Sequence, residues 1–159
     1  MKIALIGYGK MGHAIEACSL QKGHEVVCTI DRDDPWPERL NADVAIEFTT
    51  PTAAVDNLLR CFDAHLPVVC GTTGWYDRYE EVCAACREKV GTLLTATNFS
   101  LGMNIVFAVG EHLATLMRNH PYKASISETH HIHKLDAPSG TALTLQKQIV
   151  RFAGRNADE

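Results

Sequence analysis

The sequence predicts an α/β chain in which a Rossmann-like, doubly wound parallel sheet is followed by a partial α+β substrate domain. Three observations carry this. Over the first hundred residues, short apolar runs alternate with amphipathic stretches. A glycine-rich turn follows the first run directly, and the alternation stops after Asn98. The runs Lys2 to Ile6, His24 to Ile30, Asp43 to Phe48, Pro67 to Cys70 and Thr92 to Ala96 are rich in Val, Ile, Leu or Thr, as buried parallel strands are. Between them, Lys10 to Lys22, Thr52 to His65 and Tyr76 to Val90 place apolar residues at three- and four-residue spacing, which predicts helices. Asp31 to Asn41, interrupted by Pro35 and Pro37, is expected to be a loop. Beyond Asn98, Gly102 to Asn119 and Gly140 to Ala153 read as helices and Tyr122 to His131 as a strand. The boundaries that follow are a dinucleotide-binding domain over 1–98 and an incomplete substrate or oligomerisation domain over 99–159, because one strand cannot satisfy its own backbone.

Composition narrows the class. With 15 Lys+Arg against 19 Asp+Glu, 46% hydrophobic and 21% charged residues, the 159-residue chain is ordinary globular protein. A net charge of -4 offers no general pull toward nucleic acid or anionic lipid. The apolar runs are too short to span a bilayer, and Ile3 to Ile6 ends at a glycine with no cleavage-site pattern. The expectation is a cytoplasmic chain with neither nucleic-acid nor membrane partners. Its 6 cysteines are expected to be reduced; the Cys83-x-x-Cys86 pair falls inside a helix rather than at a helix start, where a redox motif sits, and has no second pair at metal spacing to make a zinc site.

Gly7-Tyr8-Gly9-Lys10-Met11-Gly12 forms G-x-G-x-x-G between the first strand and first helix, and the next strand ends at Asp31. In that context Gly7 makes the turn, Gly9 lets backbone approach a pyrophosphate, Gly12 permits close packing, and Asp31 takes ribose hydroxyls. Arg32 beside it could clamp a 2'-phosphate, so NADH and NADPH are both expected as cofactors. Phe48-Thr49-Thr50-Pro51 and Gly71-Thr72-Thr73-Gly74 follow the third and fourth strands, at the sheet edge where open α/β proteins bind ligands. A plain turn is the competing reading of the second loop.

Proton carriers crowd into Glu128-Thr129-His130-His131-Ile132-His133-Lys134, followed by Asp136-Ala137-Pro138-Ser139-Gly140-Thr141. Ser139, Gly140 and Thr141 open the last helix, whose amides and dipole favour an anion, and Lys134 adds a point charge. A metal reading is disfavoured because adjacent His130 and His131 would point apart on a strand and no H-E-x-x-H occurs, so no metal is expected. A histidine suits proton transfer near neutrality. Hydride from a nicotinamide and a proton from histidine together give reduction of a double bond in a small anionic molecule.

The run Glu128 to Ala142, E-T-H-H-I-H-K-L-D-A-P-S-G-T-A, resembles the signature of the 4-hydroxy-tetrahydrodipicolinate reductase family, which serves the diaminopimelate route to lysine. Gly71 to Gly74 and Ala96-Thr97-Asn98-Phe99-Ser100-Leu101-Gly102 are similar to that family's G-T-T-G and A-x-N-F-S-x-G segments, in the same order. The resemblance implies that His130 is the proton donor and Lys134 the second catalytic residue, with His131, Gly140 and Thr141 on the substrate's carboxylates. It assigns Gly7 to Gly12, Asp31, Gly71, Thr72, Thr73, Ala96, Thr97, Asn98 and Phe99 to the dinucleotide. It further implies a small dicarboxylate substrate and a homo-oligomer, a tetramer. Two departures stand out: the family's glycine loop is often one residue longer, and its members continue past the position of Glu159 with further strands, so the chain is expected to be a partial version. The alternatives are a dinucleotide-binding sensor without catalysis, and a dehydrogenase acting on a different carboxylate.

Overall fold

The computed structural model describes residues 1–130, 132 and 137–154. Contacts divide the chain into two compact units, Met1–Ala96 and Thr97–Glu159.

In the first unit, strands β1 (Lys2–Ile6), β2 (Glu25–Ile30), β3 (Val44–Glu47), β4 (Val68–Cys70) and β5 (Leu93–Thr95) form one parallel sheet in the order β2-β1-β3-β4-β5. The connections include α1 (Lys10–Gln21), α2 (Pro51–Asp63) and α3 (Tyr79–Glu88), the last entered through a short 3-10 turn over Tyr76–Arg78. Parallel strands need long crossovers, and helices covering the sheet explain why β1 reads as a nearly unbroken apolar run. Pro51 opens α2, where its missing N–H costs nothing. The core gathers Ala4, Ile6, Ala45, Leu58, Phe62 and Trp75, all buried. The crossover between β2 and β3 holds no helix, as its two prolines predict, and its Trp36 packs on the core instead. Because β1 and β3 are neighbours reached by crossovers of opposite sense, their carboxyl ends open a crevice between the loops that follow them.

The second unit contains α4 (Leu101–Met117) and α5 (Gly140–Ala153). Both start at a serine whose hydroxyl accepts an amide N–H of the first turn, Ser100 from Met103 at 3.4 Å and Ser139 from Ala142 at 3.1 Å. Gln148 Nε2 donates to Glu111 Oε1 at 3.0 Å and Arg118 Nε to the Phe152 carbonyl at 2.9 Å, tying the helices together. Gly154 ends α5 in the left-handed conformation, φ 65°. The strand expected over Tyr122 to His131 is absent among its described residues: residues 121–130 have no regular structure and are exposed. A strand requires a ladder partner, and among the described residues the second unit offers no second edge. The α+β character expected there is therefore absent among the described residues, which show a pair of helices. Along α4, Ile105, Val109, Leu113 and Leu116 are exposed at helical spacing, an apolar stripe open to solvent.

Candidate functional site

The first unit concentrates its candidate site at the carboxyl ends of β1, β2 and β3. Gly7 has φ +94°, and a Cβ placed on it would meet the Phe48 carbonyl oxygen at 1.9 Å. Its N–H donates to the Ile30 carbonyl at 2.7 Å, so the turn is fixed against both neighbouring strands. Gly12 is confined in turn, since its Cβ would meet the Gly7 carbonyl oxygen at 2.4 Å. Gly9 is different: nothing lies within 4 Å of its would-be Cβ. It is the N-cap of α1, it supplies no side-chain cap, and the first turn holds no acidic residue. The first amides of α1 are thus left for an external anion, with the helix dipole favouring one. Lys10 and Met11 are exposed there, while the Tyr8 hydroxyl turns away to donate to Glu16, which raises the phenol's pKa.

A cleft of about 320 Å³ runs from this turn to the end of β2, where Asp31 and Arg32 are exposed on its wall. The Asp31 N–H donates to Asp34 Oδ2 at 2.8 Å and its carbonyl accepts from the Asp34 N–H, so the turn is held by Asp34 and the Asp31 carboxylate is not used for it. On the third side stand Phe48, Thr49 and Thr50. Their loop is tied to the next one: the Thr49 N–H donates to the Thr72 hydroxyl at 2.7 Å, and the Thr72 carbonyl accepts from Trp75 Nε1 at 2.8 Å. Thr72 is buried by this work, whereas Thr73 is exposed. Gly71 is required by packing, because a Cβ there would run into the Phe48 ring at 2.0 Å.

Beneath these loops lies a residue that sequence reasoning missed. Glu47, at the end of β3, is fully buried, accepts from the Thr49 hydroxyl, and accepts from the Cys70 thiol at 3.0 Å. Burial first, then the nearby Glu47 charge, pushes the Cys61 thiol up to about 12, and burial together with Glu47 raises Cys70 as well. The only signal in the sequence was a carboxylate closing an otherwise apolar run.

In the second unit the residues gather at the start of α5. The Ser139 N–H donates to Glu128 Oε1 at 2.8 Å and its hydroxyl donates to Glu128 Oε2, so Ser139 is buried as a cap. His130 Nδ1 stands 3.8 Å from Glu128 Oε2. Gly140 has open space around it, and Thr141 Oγ1 accepts from Asn98 Nδ2 at 3.5 Å. Thr97 shares a hydroxyl contact of 3.3 Å with Thr144, so Thr97 and Asn98 both reach α5. Phe99 is exposed and Ala96 half-buried. His131 and Lys134 lie outside the described residues.

Fold and site together define a Rossmann-type α/β protein whose first unit is shaped for a dinucleotide and whose second gathers Glu128, His130 and Ser139 at the start of a helix. The chain belongs to the dihydrodipicolinate reductase family. The family profile "Dihydrodipicolinate reductase, N-terminus" matches residues 33–99 and "Dihydrodipicolinate reductase, C-terminus" residues 102–159. A 4-hydroxy-tetrahydrodipicolinate reductase from Christiangramia forsetii is 45% identical over 94% of this chain and 64% of that protein. One from Neisseria meningitidis serogroup A is 39% identical over 78% of this chain and 45% of that protein. The solved structure of a dipicolinate-bound dihydrodipicolinate reductase from Paenisporosarcina sp. TG-14 shares the fold, with TM-score 0.67 and 24% identity over 96% of this chain and 66% of that one. The chain therefore spans about half to two thirds of the length of these relatives.

Proposed function

We propose that the chain works in the NAD(P)H-dependent reduction of 4-hydroxy-tetrahydrodipicolinate to tetrahydrodipicolinate, in the diaminopimelate route to lysine. The observation that carries this reading is the uncapped, unobstructed turn at Gly9, in a chain that belongs to this family. A reduced nicotinamide dinucleotide bound there supplies a hydride. Gly7 and Gly12 shape the turn, Gly9 admits the pyrophosphate, and the amides of Lys10 and Met11 donate to it. Asp31 accepts from ribose hydroxyls, with Arg32 beside it. Gly71 and Thr73 extend the cofactor surface, as do Ala96 to Phe99, while Thr72 acts by holding Thr49.

On the substrate side, His130 gives the proton that the ring carbon next to the hydride acceptor must gain, and Lys134 is the second catalytic residue. The substrate's hydroxyl leaves as water with a hydrogen of the adjacent ring carbon, which forms the double bond that hydride and the His130 proton then saturate, and His130 recovers its proton from solvent. His131, Gly140 and Thr141 hold the carboxylates, and Ser139 serves that pocket by capping α5. These assignments are supported by the signature run and by the open space at Gly140. No helix among the described residues is long and apolar enough to cross a membrane. In this reading the chain acts in the cytoplasm on a dicarboxylate, and its exposed α4 stripe suits a homo-oligomer, a tetramer by family likeness.

Calorimetric titration of the chain with NADH, NADPH and pyridine-2,6-dicarboxylate tests the proposal, followed by loss of reduced-nicotinamide absorbance when substrate is added. Binding of a cofactor and of the dicarboxylate is expected. Failure to bind either cofactor overturns the reading; cofactor binding with neither dicarboxylate binding nor turnover replaces it with a dinucleotide sensor.

A further inference from the structure

Ala53, Asn57 and Arg60 lie at i, i+4 and i+7 of α2 and so share one helix face, and all three line the cleft that starts at Gly7 and Gly9. Arg60 is exposed, and its guanidinium lies over the Trp36 ring, 5.2 Å from the centroid. Trp36 comes from the helix-free crossover after β2 and is anchored on the core. Among the described residues Arg60 forms no ion pair with a carboxylate. Nor is the nearby Asp34 a ready partner, since it accepts from the Asp31 N–H. A guanidinium stacked on an aromatic face is restrained in orientation while its edge donors stay available, which is what bidentate recognition of a phosphate needs. Asp31 and Arg32 line the same cleft, so a ribose with or without a 2'-phosphate finds partners there.

We propose that Arg60, held on Trp36, is a specificity-determining residue that receives the 2'-phosphate of a phosphorylated adenosine dinucleotide, so that the cleft takes NADPH as well as NADH. The inference rests on the dinucleotide reading above. The probes are NADPH and NADH, and adenosine 2',5'-bisphosphate against AMP, which differ only in the 2'-phosphate. Binding is followed by calorimetry and by the fluorescence of Trp36, the other tryptophan, Trp75, being buried. Arg60→Ala is expected to weaken NADPH and the bisphosphate about tenfold to hundredfold, while NADH and AMP change less than about twofold. Arg60→Lys, which keeps the charge and loses the planar fork, is expected to recover part of that loss. The advantage of NADPH over NADH should shrink with added salt in the wild-type chain and not in Arg60→Ala. Equal losses for both cofactors in Arg60→Ala, or no loss for either, overturn the assignment while leaving the dinucleotide site in place. A wild-type chain that binds none of the four probes overturns the dinucleotide reading itself.

Discussion

Two glycines two residues apart should fail in opposite ways. At Gly7, φ +94° alone costs a side chain about 1–3 kcal/mol. The Cβ of Gly7→Ala would also lie 1.9 Å from the Phe48 oxygen and 2.9 Å from Thr49 Cγ2, where ordinary contact begins at 3.4 Å. The β1 and β3 ends must then part by roughly 1.5 Å, an overpacking cost of about 1–3 kcal/mol. That movement also strains the 2.7 Å bond from the Gly7 N–H to Ile30. The total is about 2–6 kcal/mol, which for a chain of this size lowers Tm by roughly 4 to 24 °C. The Cβ of Gly9→Val meets no atom within 4 Å and there is no positive φ to maintain, so the main loss is a weaker N-cap, about 1 kcal/mol or less. Its side chain instead fills the space the pyrophosphate needs and denies it two amide contacts. With charge-assisted bonds at about 1.5 kcal/mol each or more, NADH affinity should fall about 100-fold. Differential scanning calorimetry and NADH titration of both variants decide the matter. A Gly9→Val chain that binds NADH within about threefold of wild type, or a Gly7→Ala chain with unchanged Tm, would refute the reasoning.

Glu47→Ala leaves the Thr49 hydroxyl and the Cys70 thiol without their buried acceptor, so urea unfolding should show a loss of about 2–4 kcal/mol, with Glu47→Gln less severe; an unmoved midpoint contradicts it. Cys61 holds its proton to about 12 when folded against 9.0 ordinarily. The unfolded thiol therefore ionises first, its contribution is whole below about pH 9 and declines above it, and Tm between about pH 9 and about pH 11 should fall less steeply in Cys61→Ala than in wild type. An exposed Cys18 should react with a thiol reagent well before buried Cys61 and Cys70; simultaneous labelling would show that the core opens. Ser139→Ala removes the cap on the Ala142 N–H and one bond to Glu128, so amide exchange at the start of α5 should speed up and stability should drop by about 1 kcal/mol, whereas unchanged exchange would show that another group caps the helix.

The first unit was legible because its signals are local. The inner strands β1, β3 and β4 are mostly buried and show themselves as short apolar runs, and the glycine turn needs only neighbours in sequence to be recognised. Tyr122 to His131 failed for the complementary reason. Its composition suits a strand, but a strand exists only through a partner, and periodicity says nothing about whether one is present. Long-range partners were equally hidden. Nothing in Trp36 or Arg60, separated by a strand and most of a helix, announces that they stack, and Glu47 gives no hint that it joins Thr49 to Cys70. Thr72 stands in the loop after β4, as its turn-forming neighbours predict, yet its hydroxyl serves Thr49, a pairing 23 residues apart in sequence.

The two units differ in how ready they are for an anion. At α1 the glycine N-cap leaves the first amides uncommitted, and no acidic side chain competes for them. At α5 a carboxylate of the protein has already taken part of the helix start: Glu128 engages both the N–H and the hydroxyl of Ser139. An incoming carboxylate can then use only the donors further along, at Gly140 and Thr141, with Asn98 already on the Thr141 hydroxyl. In the proposed reading it must also sit near the Glu128 charge, a repulsion that nearby positive charge has to offset. The signature run supplies His130 and Lys134 within six residues of Glu128. Under that reading their density has an electrostatic reason beside proton transfer: a dicarboxylate held next to an internal carboxylate needs more positive charge than a helix dipole provides.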